Sequence, residues 1–316
     1  MSESNKRNFI VHGSILAIAG IFVRIIGMLY RIPVVNIIGS EGNGIYGAAF
    51  NIYNIMLVLS SYGLPMAVSK LVSARFTKRR YKSAAKVLRC SLMVAVCTGG
   101  IAALLVFFGA SFIENVIYGG GLPGLAIPLR ILAPTIFLVA ILGVIRGFFQ
   151  GQSTMIPTAV SQILEQIVNA IVSIAAGYGM MKAFASSPDV AAYGAAGSTL
   201  GTAMGALTAV LFMGFLYAVY TPTFNRLKRK DRHTENQSTG QICKIIIYTM
   251  IPIILGQTFY QISALIDDVM FSNIMVGRDI TKSISMDLGN FSSSYSLLIG
   301  IPQGVASAMS ASMLPS

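Results

Sequence analysis

The chain has 316 residues, 54% of them hydrophobic and 11% charged, with a formal net charge of +12 and a mean hydropathy of +0.72. Soluble domains carry about 25% charged residues, so a water-soluble globular fold is excluded. The basic residues sit in short segments between apolar runs, which excludes a continuous phosphate-tracking groove and with it a nucleic-acid partner.

A span needs about 20 predominantly apolar residues. Eight segments meet this: 9–38, 46–73, 88–118, 125–149, 157–182, 190–220, 245–276 and 290–314. The N-terminus "MSESNKRNFI" has no signal-peptide cleavage site after it, so the first run is read as a retained span. That span holds "GIFVRIIGMLYRIPVVNIIG", apolar except for Arg24 and Arg31. Seven residues is about two helical turns, which puts both arginines on nearly the same face. An arginine at the bilayer centre costs about 2.5–3.5 kcal/mol on insertion scales. Arg24, near the middle, is therefore expected to line a polar cavity. Arg31 either lines the same cavity or snorkels to the outer end on its long stem.

Span two carries Pro65 in "LPMAV", and a basic segment follows with Arg75, Lys78, Arg79, Arg80, Lys82, Lys86 and Arg89. Span four has Arg130 five residues inside its start and Pro134 beyond it; span five has Glu165 in "SQILEQIVNA". Span six places Gly197, Gly201 and Gly205 four apart, the spacing that lets helix backbones approach closely in lipid. A second basic segment holds Arg226, Lys228, Arg229, Lys230, Arg232 and Lys244. Span seven contains adjacent acids, Asp267 and Asp268, pointing about 100° apart, so one of the two is expected to face a cavity. Span eight repeats the pattern of "LPMAV" as "IPQGV", Ile301–Val305, which hints at a six-helix unit repeated in parallel. The chain stops inside apolar helix at "SAMSASMLPS", and is expected to be a piece of a longer protein.

With the N-terminus inside, sixteen basic residues fall on the cytoplasmic side, including Lys6, Arg7 and Arg146, against Lys182, Arg278 and Lys282 outside. This satisfies the positive-inside rule at every loop. Three cysteines and two histidines show no metal-ligand or triad spacing. Neither enzyme chemistry, a metal nor a cofactor is expected. An arginine-led cavity suits an anionic substrate, because the planar guanidinium matches phosphate and pyrophosphate. No GxxxxGK[ST] occurs, so direct ATP use is not expected. Arg130, Glu165, Asp267 and Asp268 are further candidates for cavity lining or ion coupling, with a monovalent cation or proton as the ion. Pairing within the bundle is the alternative for the acids.

The stretch "LRILAPTIFLVAILGVIRGFFQGQSTMIPTAVSQILEQIVNAIV", Leu129–Val172, resembles the fourth span, turn and fifth span of the polysaccharide-transport branch of the MOP flippase superfamily. "IYGAAFNIYNIMLVLSSYGLPMAVSKLVSARF" and "IPQGVASAMSASMLPS" fit as well, so the resemblance covers the whole chain. Within that branch it is similar to the stage V sporulation protein B group, relatives of MurJ-type lipid II flippases. The resemblance implies two six-helix lobes around a central cavity. Here that means an N-lobe at 1–224, a basic inter-lobe loop at 225–244, and the first two helices of a C-lobe at 245–316. The implied activity is moving an undecaprenyl-pyrophosphate-linked saccharide between leaflets of the bacterial cell membrane. "VRIIGMLYR" matches the first-span region where MurJ-type proteins use arginines for the pyrophosphate, which implies that role for Arg24 and, with a spacing one residue different, for Arg31. Two positions depart from those proteins: Leu297 stands where they have an arginine in span eight, and span two lacks one. The saccharide is therefore open, lipid II included. A MATE-type drug/cation antiporter is the alternative, and its cavity is expected to be led by acids.

Overall fold

The computed structural model describes residues 3–232, 237–278 and 284–291. They form eight α-helices: α1 Glu3–Ser60, α2 Leu64–Thr77, α3 Tyr81–Phe112, α4 Ala126–Gln150, α5 Ile156–Ala183, α6 Val190–Lys230, α7 Thr239–Val276 and α8 Ile284–Phe291. A π-helical turn, Ile113–Ile117, extends α3. There is no strand among the described residues.

α1 is not one straight rod. Gly39 has φ 70° and ψ 177°, a conformation open to glycine because it has no Cβ. The chain folds back there: the Arg31 guanidinium lies 5.9 Å from the centroid of the Tyr46 ring, whereas fifteen residues of straight helix would separate them by about 22 Å. The sequence reading places a loop over 39–45. The structure makes the turn at Gly39 alone and resumes helix at Ser40. Six stretches of described helix are long and apolar enough to cross a membrane, the first being Ile18–Thr77, of 60 residues. That first stretch contains the Gly39 turn and holds two of the expected spans. The eighth expected span, with Leu297 and Ile301–Val305, lies outside the described residues.

Pro33, Pro134, Pro222 and Pro252 all lie within helices. Pro65 instead opens α2, where a missing N–H is harmless. The glycine spacing in α6 meets α5 as expected. A β-carbon on Gly205 would lie 2.6 Å from the Glu165 carbonyl oxygen, and one on Gly201 would lie 2.6 Å from that of Asn169. The backbones approach this closely because α6 has no side chain at these positions, and at Gly201 the space is taken by Ser173 Oγ of α5.

The loops sort to two ends. At one end Arg75 Nε donates to Ser83 Oγ at 2.8 Å and its Nη2 to Gln237 Oε1 at 3.0 Å. There too the Lys82 backbone N–H donates to buried Asp231 at 2.8 Å, capping the first turn of α3. This end gathers both basic segments. At the other end a β-carbon on Gly124 would meet Ala192 Cβ at 2.5 Å, and Asn273 Nδ2 donates to Ile117 O at 2.8 Å. Two apolar clusters fill the interior, one around Ile38, Tyr118, Leu125 and Leu129, the other around Val72, Phe148, Phe224 and Ile246. The helix exteriors are also apolar, with Phe108 75% and Phe259 77% exposed, as lipid-facing surface requires.

α1 and α8 meet reciprocally at the non-basic end. A β-carbon on Gly44 would collide with the Ser285 carbonyl oxygen, and one on Gly289 with that of Ser40. The buried Asn43 side chain donates to Gly289 O at 2.8 Å. Each helix contributes serine and glycine four apart, so the two surfaces are matched as across a local two-fold axis.

Candidate functional site

The first half of α1 has two distinct exposed faces. Ile18, Phe22, Ile25, Leu29 and Ile32 are exposed and form one apolar stripe. At 100° per residue, Arg24 and Arg31 lie roughly 120–140° around the helix from the centre of that stripe. Arg24 is exposed and Arg31 half-buried. The arginines thus sit between the apolar stripe and the buried edge formed by Val34 and Ile38. Arg31 is held over Tyr46 by a cation–π contact. On the neighbouring position Tyr30 OH accepts from Asn169 Nδ2 at 3.4 Å.

Asn169 belongs to a polar ladder on α5. Ser161, Glu165, Asn169 and Ser173 follow one another every four residues, so they share a face. Ser173 Oγ lies within hydrogen-bonding distance of Asn169 Oδ1, 2.9 Å, and Ser198 O, 2.8 Å. At the basic end of the ladder Arg146 Nη2 donates to Glu165 Oε2 at 2.7 Å, with Nε donating to Ser161 Oγ at 2.9 Å. The two charged side chains are 14% and 27% exposed. Glu165 is thus partnered by an arginine from the end of α4, not by the arginines of α1.

Of the remaining candidates, Asp268 is half-buried and accepts from Asn51 Nδ2 at 2.6 Å, joining α7 to the second half of α1. Asp267 is exposed, as expected for neighbours pointing apart. Arg130 is exposed and donates to Ser111 Oγ at 2.8 Å. No group of three His, Cys, Asp or Glu with metal-site geometry occurs among the described residues.

Sequence reading missed Tyr30, Asn51, Asn169 and the role of Arg146. Arg146 counts as a cytoplasmic-side charge in the topology, but it lies within α4 and its side chain, 14% exposed, turns inward to Glu165. The four-residue polar spacing in "SQILEQIVNAIVS" was the visible signal for the ladder. Nothing in the sequence marks Asn51 as the partner of a residue 217 positions away.

The family model for "Polysaccharide biosynthesis protein" matches residues 10–316. Among curated proteins of Bacillus subtilis (strain 168), the chain is 34% identical over 182 residues to lipid II flippase MurJ, covering 55% of this chain and 34% of that protein. It is 25% identical to stage V sporulation protein B over 98% of this chain and 58% of that one. The chain thus spans between about a third and three-fifths of these relatives' length. Among solved structures, an inward-facing multidrug resistance MATE family transporter of the MOP superfamily aligns with TM-score 0.64 at 17% identity, over 92% of this chain and 64% of that one. A MOP superfamily transporter from Pyrococcus furiosus aligns with TM-score 0.62 at 16% identity, over 97% and 68%. These likenesses show the fold, that of MOP superfamily transporters. With its long apolar helices, the protein is a multi-pass membrane protein. It belongs to the polysaccharide biosynthesis protein family.

Proposed function

We propose that this chain is part of a flippase that moves an undecaprenyl-pyrophosphate-linked saccharide from the inner to the outer leaflet of a bacterial cell membrane, without enzymatic turnover. In this reading residues 1–224 form a six-helix N-lobe, 225–244 a cytoplasmic loop, and 245–316 the first two helices of a C-lobe, eight spans in all. The N-terminus is cytoplasmic. Arg24 and Arg31 bind the pyrophosphate.

The observation that carries the reading is the placement of Arg24: exposed, mid-helix, and off the apolar stripe of α1. A permanent charge there needs a compensating anion or water, and a pyrophosphate offers a guanidinium two adjacent charged acceptors. Family membership and the similarity to proteins called lipid II flippase and stage V sporulation protein B agree with it.

The second reading is a MATE-type drug/cation antiporter, favoured by Asp268 on α7, the carboxylate bound to Asn51 of α1. The two readings differ in the sign of the ligand. Purified full-length protein in detergent is titrated with an undecaprenyl-pyrophosphate saccharide and, separately, with a lipophilic organic cation. Saturable binding of the lipid-linked pyrophosphate, competed by inorganic pyrophosphate and weakened by Arg24→Ala, is expected. Binding of the cation alone would replace the flippase reading with the antiporter.

A further inference from the structure

The basic end contains a recess that the transport reading does not use. It has a volume of about 580 Å³, lies between α3, α6 and the start of α7, and includes Lys82, Lys86, Arg89, Met93, Lys228 and Thr239 in its lining. A second recess of about 520 Å³ shares Lys82 and Lys228 with it and adds Arg229. Five cations from two helices therefore converge on connected space, and neither recess is lined by an acid among the described residues. The nearby acid, Asp231, is buried and accepts from the Lys82 backbone N–H. Lys86 donates to Gln237 O, and Lys228 lies 5.2 Å from the Phe224 ring centroid. The charges of Lys82, Arg89 and Arg229 have no carboxylate partner among the described residues. Like charges this close repel, and an anion between them relieves that repulsion.

The same helix face says what kind of anion. Lys82, Lys86, Arg89, Met93, Val96 and Leu104 of α3 recur at helical spacing, within about 40° of one line. Met93, Val96 and Leu104 are 58%, 47% and 58% exposed. From Met93 to Leu104 is about 16 Å of helix, close to the half-thickness of a hydrocarbon core of about 30 Å. A cationic recess thus opens straight onto an apolar track one leaflet long. A free phosphate would use only the recess; a lipid uses both.

We infer that this recess binds the headgroup phosphate of an anionic bilayer phospholipid, whose acyl chains lie along Met93, Val96 and Leu104 and whose headgroup bridges α3 to α6 beside the start of α7. Basic pockets between membrane helices are suited to such headgroups. The site is separate from Arg24 and Arg31 and does not rest on the transport reading.

The test uses purified full-length protein in mild detergent, with lipid binding read by native mass spectrometry across a titration. Phosphatidylglycerol should bind roughly tenfold or more tightly than phosphatidylcholine, because its headgroup carries a net negative charge and that of phosphatidylcholine does not. Lys82→Gln with Arg89→Gln should lower phosphatidylglycerol affinity about thirtyfold. Lys78→Gln with Arg80→Gln, two exposed charges outside the recess, should leave it unchanged. Lys82→Arg with Arg89→Lys keeps both charges and should retain binding. Equal losses in the two glutamine pairs would overturn the site, as would equal affinity for the two lipids. Loss in the charge-conserving pair would assign the effect to fold damage and overturn it too. Inorganic phosphate displacing the lipid at low millimolar concentration would reject the lipid as the occupant.

Discussion

At the scale of single residues, the positions of two arginines lead to opposite expectations. Arg24 is exposed beside an apolar stripe, and in the proposed function its charge answers to a ligand. Arg24→Ala is expected to abolish flipping while leaving expression and insertion intact, because removing the charge does not oppose partitioning into lipid. Arg24→Lys keeps the charge without the fork and should lose part of the activity. Transport or complementation in the full-length protein, with expression checked by immunoblot, reads both; normal activity of Arg24→Ala would show that the charge serves something other than substrate. Arg146 answers instead to Glu165 at 2.7 Å. Glu165→Leu alone strands a largely buried guanidinium and should destabilise the fold by about 1–3 kcal/mol. Arg146→Met combined with Glu165→Leu removes both charges and should recover most of that loss. Thermal unfolding in detergent decides it, and a double variant less stable than the single would make the pair a net stabiliser in its own right.

At the scale of elements, helix contact here is set by the absence of side chains. The four-residue glycine spacing of α6 is legible in sequence because small residues at that interval have one main use in lipid, and α5 is the helix it meets. Gly201→Ala sets a methyl group 2.6 Å from Asn169 O and should cost about 1–3 kcal/mol of stability by overpacking. Gly214→Ala, with nothing near its added carbon, should be neutral or slightly stabilising. Equal melting temperatures for the two would refute the seam. Gly44 and Gly289 carry no such legible spacing, since their partners are the serines of each other's helix. A methyl group at Gly44 must separate α1 from α8, so Gly44→Ala should lower the melting temperature in detergent, as Gly201→Ala should and Gly214→Ala should not. An unchanged melting temperature would mean that this contact does not hold α8 against α1.

At the scale of the whole molecule, both basic segments gather at one end, and the turns at Gly39, 119–124 and 184–189 gather at the other. In the proposed topology, which follows the positive-inside rule, the basic end is cytoplasmic. Single cysteines in 76–82 and 225–238 should resist an impermeant thiol reagent in intact cells, while one in 119–124 should react. The background must lack Cys90, Cys97 and Cys243, which are all free thiols. Labelling of the first two segments and protection of the third would invert the topology.

The sequence by itself determined the helical class, the location of the six long apolar stretches among the described residues and the α6 seam. Each follows from local composition and period, which the bilayer enforces on every backbone group. It also marked Arg24 and Arg31, because a charge in an apolar run is costly wherever the run goes. Tertiary structure alone decided the partners. Arg146 drawn in to Glu165, Asp268 bound to Asn51, and lysines of α3 and α6 converging on one recess all depend on residues from different helices. Side-chain spacing along a helix reports which residues share a face, but which helix that face meets is set by how the bundle closes.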